Sequence, residues 1–160
     1  MRSTERTEKL AAYGAAYDEL RAALAEFPAA MWHVRTSADP WTIHEIVVHI
    51  TDSEANSYVR CRRAIAEPGE SVMAYNEEQW ASALDYSAQS AGDALELFRL
   101  LRLRTYRLIQ DQPEAVWAHT IQHPENGTMT LDDWLAVYAR HIPDHVAQMR
   151  RIHASWVATG

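Results

Sequence analysis

Two histidines near the end of the sequence, His141 and His145, stand four positions apart. The apolar residues around them recur every three or four positions, which predicts a helix, and residues four apart in a helix share one face. At ~100° per residue the pair falls on the side of Trp134, Tyr138 and Ile152, so both imidazoles are expected to face the core. Two imidazoles so placed can share a divalent metal, which would satisfy ring nitrogens that burial removes from water. The alternative is a pair that solvent or ordered water satisfies.

The helix that carries this pair is predicted over about 130–157. Thr130 followed by Asp133 is typical of a helix N-terminus, where a side-chain oxygen and an acidic first turn satisfy free N–H groups. Pro143 lies between the two histidines, where it removes the hydrogen bond to the carbonyl of Ala139 and is expected to bend the helix. Such a bend is compatible with a site if it aims the ligands or opens a pocket.

A second helix, predicted over about 42–67, carries a line of polar residues on its inward side. Thr42 and Glu45 begin it with a capping box. At ~100° per residue, four polar residues share the stripe that flanks its apolar face, whereas His44 points to the opposite side and is expected in solvent. The four are His49, Ser53, Asn56 and Arg60. Buried polar lines are costly unless they satisfy each other or serve a site, and the alternative is the polar edge of an amphipathic helix.

Two further long helices are predicted over about 4–26 and 90–111 from their apolar periodicity. Gly14 in the first of them is expected to permit the close approach of a neighbouring element. A short capped helix is predicted at 76–80 and a single turn at 113–117, whereas 119–129 is predicted to be irregular. Four long helices with short connections indicate an all-α four-helix bundle, with a short extra helix between the second and third, in one domain covering 1–160.

Composition excludes several classes of function. The formal net charge is −7 and no basic run is present, so neither a nucleic acid nor an anionic membrane is an expected partner. No apolar run is long enough to span a membrane, and the first residues do not have the apolar core of a signal peptide, so a cytoplasmic location is expected. Cys61 is the single cysteine, which rules out an internal disulfide and a cysteine-rich zinc site.

Three segments together resemble the DinB/YfiT-like superfamily, and its YfiT-like branch in particular. The segments are 41–60, 75–80 and 123–145, the last of which runs from His123-Pro124-Glu125 to His141 and His145. The resemblance spans about two thirds of the chain in the order and spacing of its motifs. It implies an up-down-down-up bundle, and it implies that dimers are common, so a homodimer is expected.

The same resemblance implies one metal held by a histidine of the second helix and the pair of the last helix. Those positions are His49, His141 and His145, the three histidines that helical periodicity already turns inward. His123 precedes the last helix in a loop that could fold over the site, and Tyr138 is expected to line the pocket with the inward polar line. The other histidines, His33, His44, His119 and His153, are expected at the surface or in the core.

Three neutral protein ligands would leave coordination positions open, as catalytic zinc sites do. Zinc or nickel is expected first, while iron or manganese would also accept imidazoles. A His-Glu-x-x-His motif is absent because Ile142 occupies the glutamate position, and Cys61 lies well round its helix from His49. The resemblance implies transferases that attach low-molecular-weight thiols to electrophiles, and metal-dependent hydrolases.

Three hypotheses about function follow for a small-molecule substrate. The first is a metal-dependent S-transferase that uses an external thiol, with Arg60 available to hold an anionic group. The second is a hydrolase that uses metal-activated water. The third is a metal-binding stress protein without catalytic activity.

Overall fold

The computed structural model describes residues 1–159, which form five α-helices and one β-hairpin. Gly160, the last residue of the predicted domain 1–160, lies outside the described residues. The helices are α1 (Ser3–Leu24), α2 (Ile43–Ala66), α3 (Glu77–Ala83), α4 (Ala91–Ile109) and α5 (Leu131–Thr159), and the hairpin pairs β1 (Thr120–His123) with β2 (Gly127–Thr130). Short 3-10 turns occupy Ala29–Met31, Tyr86–Ala88 and Glu114–Ala118. None of the helices within residues 1–159 combines the length and the apolar composition that crossing a membrane requires.

Side-chain caps fix the starts of α2, α3 and α4, and those of α2 and α3 are the caps that the sequence predicts, whereas α1 begins without one. In α2, Thr42 Oγ1 accepts a bond of 3.2 Å from the Glu45 N–H, and the Glu45 carboxylate accepts one of 2.8 Å from the Thr42 N–H. The Asn76 side chain caps α3 by accepting from the Gln79 N–H at 2.8 Å, and Ser90 caps α4. Each cap satisfies an N–H group that has no partner within its own helix, so these boundaries are readable from local sequence.

α1 and α5 pack side by side and run in the same direction. Arg6 in the first turn of α1 donates to Asp132 at the start of α5, with Nε–Oδ1 at 2.7 Å. At the other end, Arg150 of α5 donates to Glu26 just beyond α1. Because the start of α1 contacts the start of α5 and the end of α1 contacts the later part of α5, the two helices are parallel.

α2 and α4 are also parallel neighbours. Thr51 Oγ1 donates to the Ala94 carbonyl at 2.8 Å near the start of α4, and Arg62 donates to Thr105 Oγ1 at 3.2 Å further along both helices. The segment between them, which contains α3, therefore crosses from one end of the bundle to the other.

α2 and α5 lie next to each other in opposite directions. Ser53 lies beside His141, with Oγ–Nε2 at 3.3 Å, whereas Arg60, later in α2, reaches Tyr138, earlier in α5. Together with packing of α1 against α4, these contacts give a ring in the order α1, α5, α2, α4. The directions are up, down, down, up for α1, α2, α4 and α5, which confirms the predicted four-helix topology.

A charged pair is sealed between the helices of the bundle. Arg102 of α4 and Glu54 of α2 lie 2.6 Å apart and are almost completely buried. Tyr13 donates to the same carboxylate at 2.7 Å, and the Arg102 guanidinium lies 3.9 Å from the centre of the Tyr13 ring. At the next residue of α1, a Cβ atom built on Gly14 would lie 2.9 Å from the Tyr106 ring, so the close approach expected at this glycine is confirmed.

The segment 119–129 was predicted to be irregular, and this prediction was wrong. Residues 120–130 form the antiparallel hairpin β1–β2. The pairing places His123 opposite Gly127, which adopts a positive φ of 68° that glycine tolerates. The chain before α3 runs along β1, where the Gly69 N–H donates to the Thr120 carbonyl at 2.7 Å. The prediction was wrong because the turn at 123–127 connects two short strands, and β1 also pairs with residues 69–72, which lie far earlier in the sequence.

His44 is buried rather than exposed to solvent, with 6% of its surface accessible. Its Nε2 lies 2.9 Å from the Gln89 carbonyl, and its ring lies 4.3 Å from that of His33. Residues before α4 cover this side of α2, and helical periodicity gives no information about such long-range cover. α5 continues through Pro143 without a break, and the bend expected there stays a prediction.

Candidate metal centre

Antiparallel packing of α2 against α5 brings His49 opposite His141 and His145. One ring nitrogen from each of the three lies within 4.8 Å of the other two. The Nε2 atoms of His141 and His145 are 3.1 Å apart, and the ring of His49 lies 5.0 Å from that of His145. Residues 92 and 96 positions apart in the sequence therefore form one cluster, which has the composition expected of a divalent-metal site.

All three imidazoles are held neutral by their surroundings. Burial lowers the pKa of His49 to about 3, and the charge that His145 would carry adds to this effect. Burial also lowers the pKa of His141 well below its ordinary value, followed by the influence of His145. The pKa of His145 is likewise lowered by burial, although the hydrogen bond that it donates to Gln148 opposes the shift. Neutral imidazoles keep the lone pairs that bind a metal.

A chain of hydrogen bonds fixes the tautomer of His145. Gln148 Nε2 donates to the Asp39 carboxylate at 2.9 Å, which turns the amide oxygen of Gln148 towards His145. His145 Nδ1 lies 2.8 Å from that oxygen and must carry the proton. His145 Nε2 is consequently a bare lone pair that points at His141 Nε2. Support of this kind, from a side chain behind the ligand, is usual at protein metal sites.

The contacts among the ring nitrogens fit a cation between them. Nδ1 of His141 and Nδ1 of His49 are buried and have no hydrogen-bond partner within the described residues. His141 Nε2 faces the lone pair of His145 at 3.1 Å, a contact that is favourable only with a proton or a cation between the two atoms. Two nitrogens bound to one tetrahedral zinc lie roughly 3.4 Å apart. The donor set therefore suits a divalent transition metal.

A cleft of about 180 Å³ opens beside His141. Four of the residues predicted to line the pocket lie on its walls, namely Ser53, Arg60, His123 and Tyr138. Asn56 does not line this cleft: it borders the neighbouring groove, and its amide donates to the Asp52 carbonyl at 2.9 Å. Asn56 lies on the side of α2 that faces this groove, whereas Ser53 faces the cleft. The polar stripe predicted from helical spacing therefore covers both recesses, not the cleft alone.

Arg60 provides the positive charge of the cleft. Its Nη1 donates to Tyr138 Oη at 3.0 Å, and its Nη2 donates to the Met73 carbonyl at 2.5 Å. Within residues 1–159, no carboxylate forms an ion pair with this guanidinium. The charge is thus held in place by neutral groups and is available to an anionic ligand.

His123 lines the cleft from the β1–β2 turn. Its Nδ1 accepts the backbone N–H groups of Glu125 and Asn126, each at 3.3 Å, so the proton of the neutral ring is on Nε2. Burial lowers the pKa of His123, and the nearby charge of Arg60 lowers it further. The turn before α5 therefore reaches the site, as expected for the loop that carries His123.

Several residues of the centre were missed in the sequence. Glu77 lies with its carboxylate 4.0 Å from His49 Nε2, and burial, then the charge of Glu125, raises its pKa. It lies in the short helix predicted at 76–80, and nothing in that pattern indicates contact with the histidines. Trp41 packs edge-on against His49, with ring centres 4.9 Å apart. Gln148 could have been found, since it stands three positions after His145 on the same helical face.

The chain belongs to the DinB superfamily, since the model of this family matches residues 12–149. This is the superfamily that the sequence motifs at 41–60, 75–80 and 123–145 indicated.

Curated relatives carry provisional names as metal-dependent hydrolases. The protein OB0782 of Oceanobacillus iheyensis is 30% identical over 109 residues, which cover 68% of this chain and 63% of that protein. The protein BcerKBAB4_2443 of Bacillus mycoides is 32% identical over 109 residues, covering 68% of this chain and 62% of its own. The matched region thus spans less than two thirds of the length of these relatives.

Two solved structures share the fold. YfiT from Bacillus subtilis, described as a probable metal-dependent hydrolase with an unusual four-helix bundle topology, superposes with a TM-score of 0.87 at 20% identity, covering 95% of this chain and 87% of its own. A mycothiol-dependent maleylpyruvate isomerase superposes with a TM-score of 0.73 at 13% identity, covering 93% of this chain and 63% of that chain. At these identities the likeness establishes the fold alone.

Proposed function

We propose that this chain is a metal-dependent S-transferase that joins an external low-molecular-weight thiol to small electrophiles, with the metal held by His49, His141 and His145. The observation that carries the proposal is the convergence of three neutral imidazoles, within 4.8 Å of one another, beside a cleft with room for small reactants only. Three protein ligands are the arrangement of catalytic rather than structural metal sites.

A divalent metal at these histidines, zinc or nickel before iron or manganese, would lower the pKa of a thiol or of a water molecule that reaches an open coordination position. The protein itself supplies no reactive thiol, because burial raises the pKa of Cys61 to about 12 and its side chain is inaccessible. The sulfur nucleophile must therefore come from outside the chain.

The residues of the cleft would handle the proton and the charge of the reactants. The thiol sulfur forms a bond to the electrophilic carbon, the bond from that carbon to the leaving group breaks with its electron pair, and the thiol proton moves to a base. Glu77, whose carboxylate lies 4.0 Å from His49 Nε2, is placed to accept that proton, and burial raises its pKa, which makes it a stronger base than an exposed glutamate. Arg60 would orient an anionic group on one of the reactants.

A second candidate is a hydrolase in which water takes the place of the thiol. Glu77 is compatible with it, because a carboxylate beside a metal ligand can accept a proton from water as well as from a thiol. The names of the curated relatives favour it. We prefer a thiol because the maleylpyruvate isomerase, which has the same fold, depends on the thiol mycothiol.

The test is to supply metal-loaded protein with bacillithiol, mycothiol or glutathione and a chromogenic electrophile such as a chloronitrobenzene. We expect conjugation above the uncatalysed rate, its loss on chelation, and a decrease of about 10²-fold or more in Glu77→Gln with metal content unchanged. Glu78→Gln, the neighbouring acid in α3, is the matched control and should leave the rate unchanged. Metal-dependent ester or amide hydrolysis, without a rate that depends on any of the three thiols, would replace the transferase with the hydrolase.

A further inference from the structure

A second recess lies on the other side of Arg60 from the histidine cleft. It has a volume of about 310 Å³, at the lower end of the range for small-ligand pockets. Its walls are largely apolar and include Val59, Val72, Met73 and Trp80. Val59 and Met73 are 59% and 61% exposed, so this surface presents apolar side chains to water in one place. We call this recess the Trp80 groove.

Arg60 is the wall common to the Trp80 groove and the histidine cleft. Of the five N–H groups of its guanidinium, two donate within the protein, and no carboxylate of residues 1–159 pairs with it. Arg63 also borders the groove, but its Nε lies 2.8 Å from the Glu67 carboxylate. The groove therefore combines an apolar surface with one positive charge that forms no ion pair, at the wall it shares with the histidine cleft.

We propose that the Trp80 groove binds the apolar body of a small organic acid whose carboxylate pairs with Arg60, and that this acid is the electrophilic substrate of the proposed S-transferase. That the acid is the substrate rests on the proposed function, whereas its binding in the groove does not. An apolar wall suits an aryl or alkyl body and disfavours the hydrophilic frame of a low-molecular-weight thiol. A guanidinium without an acidic partner suits a carboxylate, which it can bind through two parallel hydrogen bonds.

Because Arg60 lies between the two recesses, an ion pair between Arg60 and the acid would also position the substrate for the reaction. With the apolar body in the Trp80 groove, a carboxylate bound at the shared wall would hold the carbon atoms next to it at the border of the cleft that contains His141. Arg60 would then select substrates by charge, while the apolar residues of the groove would select them by shape. Tyr138, which accepts a hydrogen bond from Arg60, would keep the guanidinium at that border.

The experiment is calorimetric titration of the metal-loaded protein with 2-naphthoate and with its neutral counterpart 2-naphthalenemethanol. We expect the acid to bind to the wild type and the alcohol to bind at least tenfold more weakly, since a charge-assisted pair contributes about one to two factors of ten in affinity. Arg60→Gln should reduce the affinity for naphthoate by about tenfold or more. Arg63→Gln is the matched control, because its charge is already paired, and should reduce that affinity by less than about threefold.

Val59→Glu is a second variant, at a position exposed enough to accept the change without loss of the fold. It places a negative charge in the groove and should abolish naphthoate binding while metal content and circular dichroism stay unchanged. Equal affinities for naphthoate in wild type and Arg60→Gln, or for the acid and the alcohol, would overturn the inference. An equal effect of Arg63→Gln would also overturn it.

The two proposals can fail separately. Naphthoate binding that depends on Arg60, in a protein without thiol-dependent turnover, would leave the groove assigned and reject the S-transferase. Turnover of a neutral electrophile by a protein that does not bind naphthoate would reject the groove and retain the S-transferase.

Discussion

Removing the buried charge of Arg102 should unfold much of the protein at denaturant concentrations that the wild type resists. Its Nη2 lies 2.6 Å from the Glu54 carboxylate, and its Nη1 also donates to the Tyr138 carbonyl at 3.3 Å in α5. Arg102→Met keeps an unbranched side chain of similar length but deletes the charge and these donors. Glu54 is then left in the core with only the Tyr13 hydroxyl as a partner.

The expected loss of stability in Arg102→Met is large because both members of the ion pair, Arg102 and Glu54, are buried. Both side chains are at most 2% exposed, so water cannot replace the lost partner. Breaking a buried ion pair by removing one member costs about 3–5 kcal/mol, compared with a total stability of about 5–15 kcal/mol for an ordinary domain. With a denaturant dependence of about 2 kcal/mol per molar urea, the midpoint should fall by roughly 2 M.

The loss should also depend on pH. Burial raises the pKa of Glu54, while the charge of Arg102 opposes that shift, so the folded-state pKa rises further in the variant. An unfolded glutamic acid titrates near ~4.3. Between that pH and the raised folded value the native state binds more protons than the unfolded state, so stability falls as pH rises. The deficit of Arg102→Met should therefore be larger at pH 8 than at pH 5.

Urea unfolding of metal-free protein, followed by circular dichroism at both pH values, measures this deficit without a contribution from metal binding. Arg99→Met is the matched control, because Arg99 lies one turn earlier in α4 and pairs with Glu96 at the surface. It should change the midpoint little. If Arg102→Met lost no more stability than Arg99→Met, or lost the same amount at both pH values, the reasoning about the buried charge would be refuted.

Three further changes have predicted outcomes. Gly14→Ala should lower the thermal midpoint because its methyl group meets the Tyr106 ring, whereas Gly92→Ala, which has no such contact, should raise stability by up to about 1 kcal/mol. Asp132→Asn should destabilise at pH 7: burial alone would raise the pKa of that carboxyl, but the hydrogen bonds and charges of Arg6 and the N-terminus together lower it. In an acid-unfolding series the difference from wild type should shrink as pH falls below about 4 and disappear only below the lowered folded-state pKa. Gln148→Leu should weaken metal binding by about 10–100-fold in a chelator competition, because it frees the tautomer of the histidine that it holds; unchanged affinity would contradict this role.

The parts of the fold that the sequence predicted correctly depend on local signals. Capping residues such as Thr42 and Asn76 fix helix ends through bonds to groups three residues away, so the pattern is visible in the chain itself. Helical periodicity likewise turned His49, His141 and His145 inward, and the structure brings them together. The up-down-down-up order followed from family resemblance, since packing between distant helices has no local signature.

The parts that were wrong or missing depend on contacts between distant segments. β1 of the hairpin at 120–130 pairs not only with β2 but also with the chain before α3, which is about fifty residues away in the sequence. His44 is buried because residues ahead of α4 cover it. Glu77 reaches the histidines because the crossover between parallel α2 and α4 returns over them, and no spacing along the sequence encodes that path.

Metal stoichiometry is the most direct test of the proposed centre. After loading with zinc or nickel and desalting, elemental analysis should find one metal per chain in the wild type and none in the variant with alanine at His49, His141 and His145. His44→Ala removes another buried histidine of α2 and should retain one metal, which controls for a general effect of losing an imidazole from the helix. Circular dichroism should show the same helical content in all three proteins. One equivalent of metal retained by the triple variant, or none bound by the wild type, would contradict the assignment.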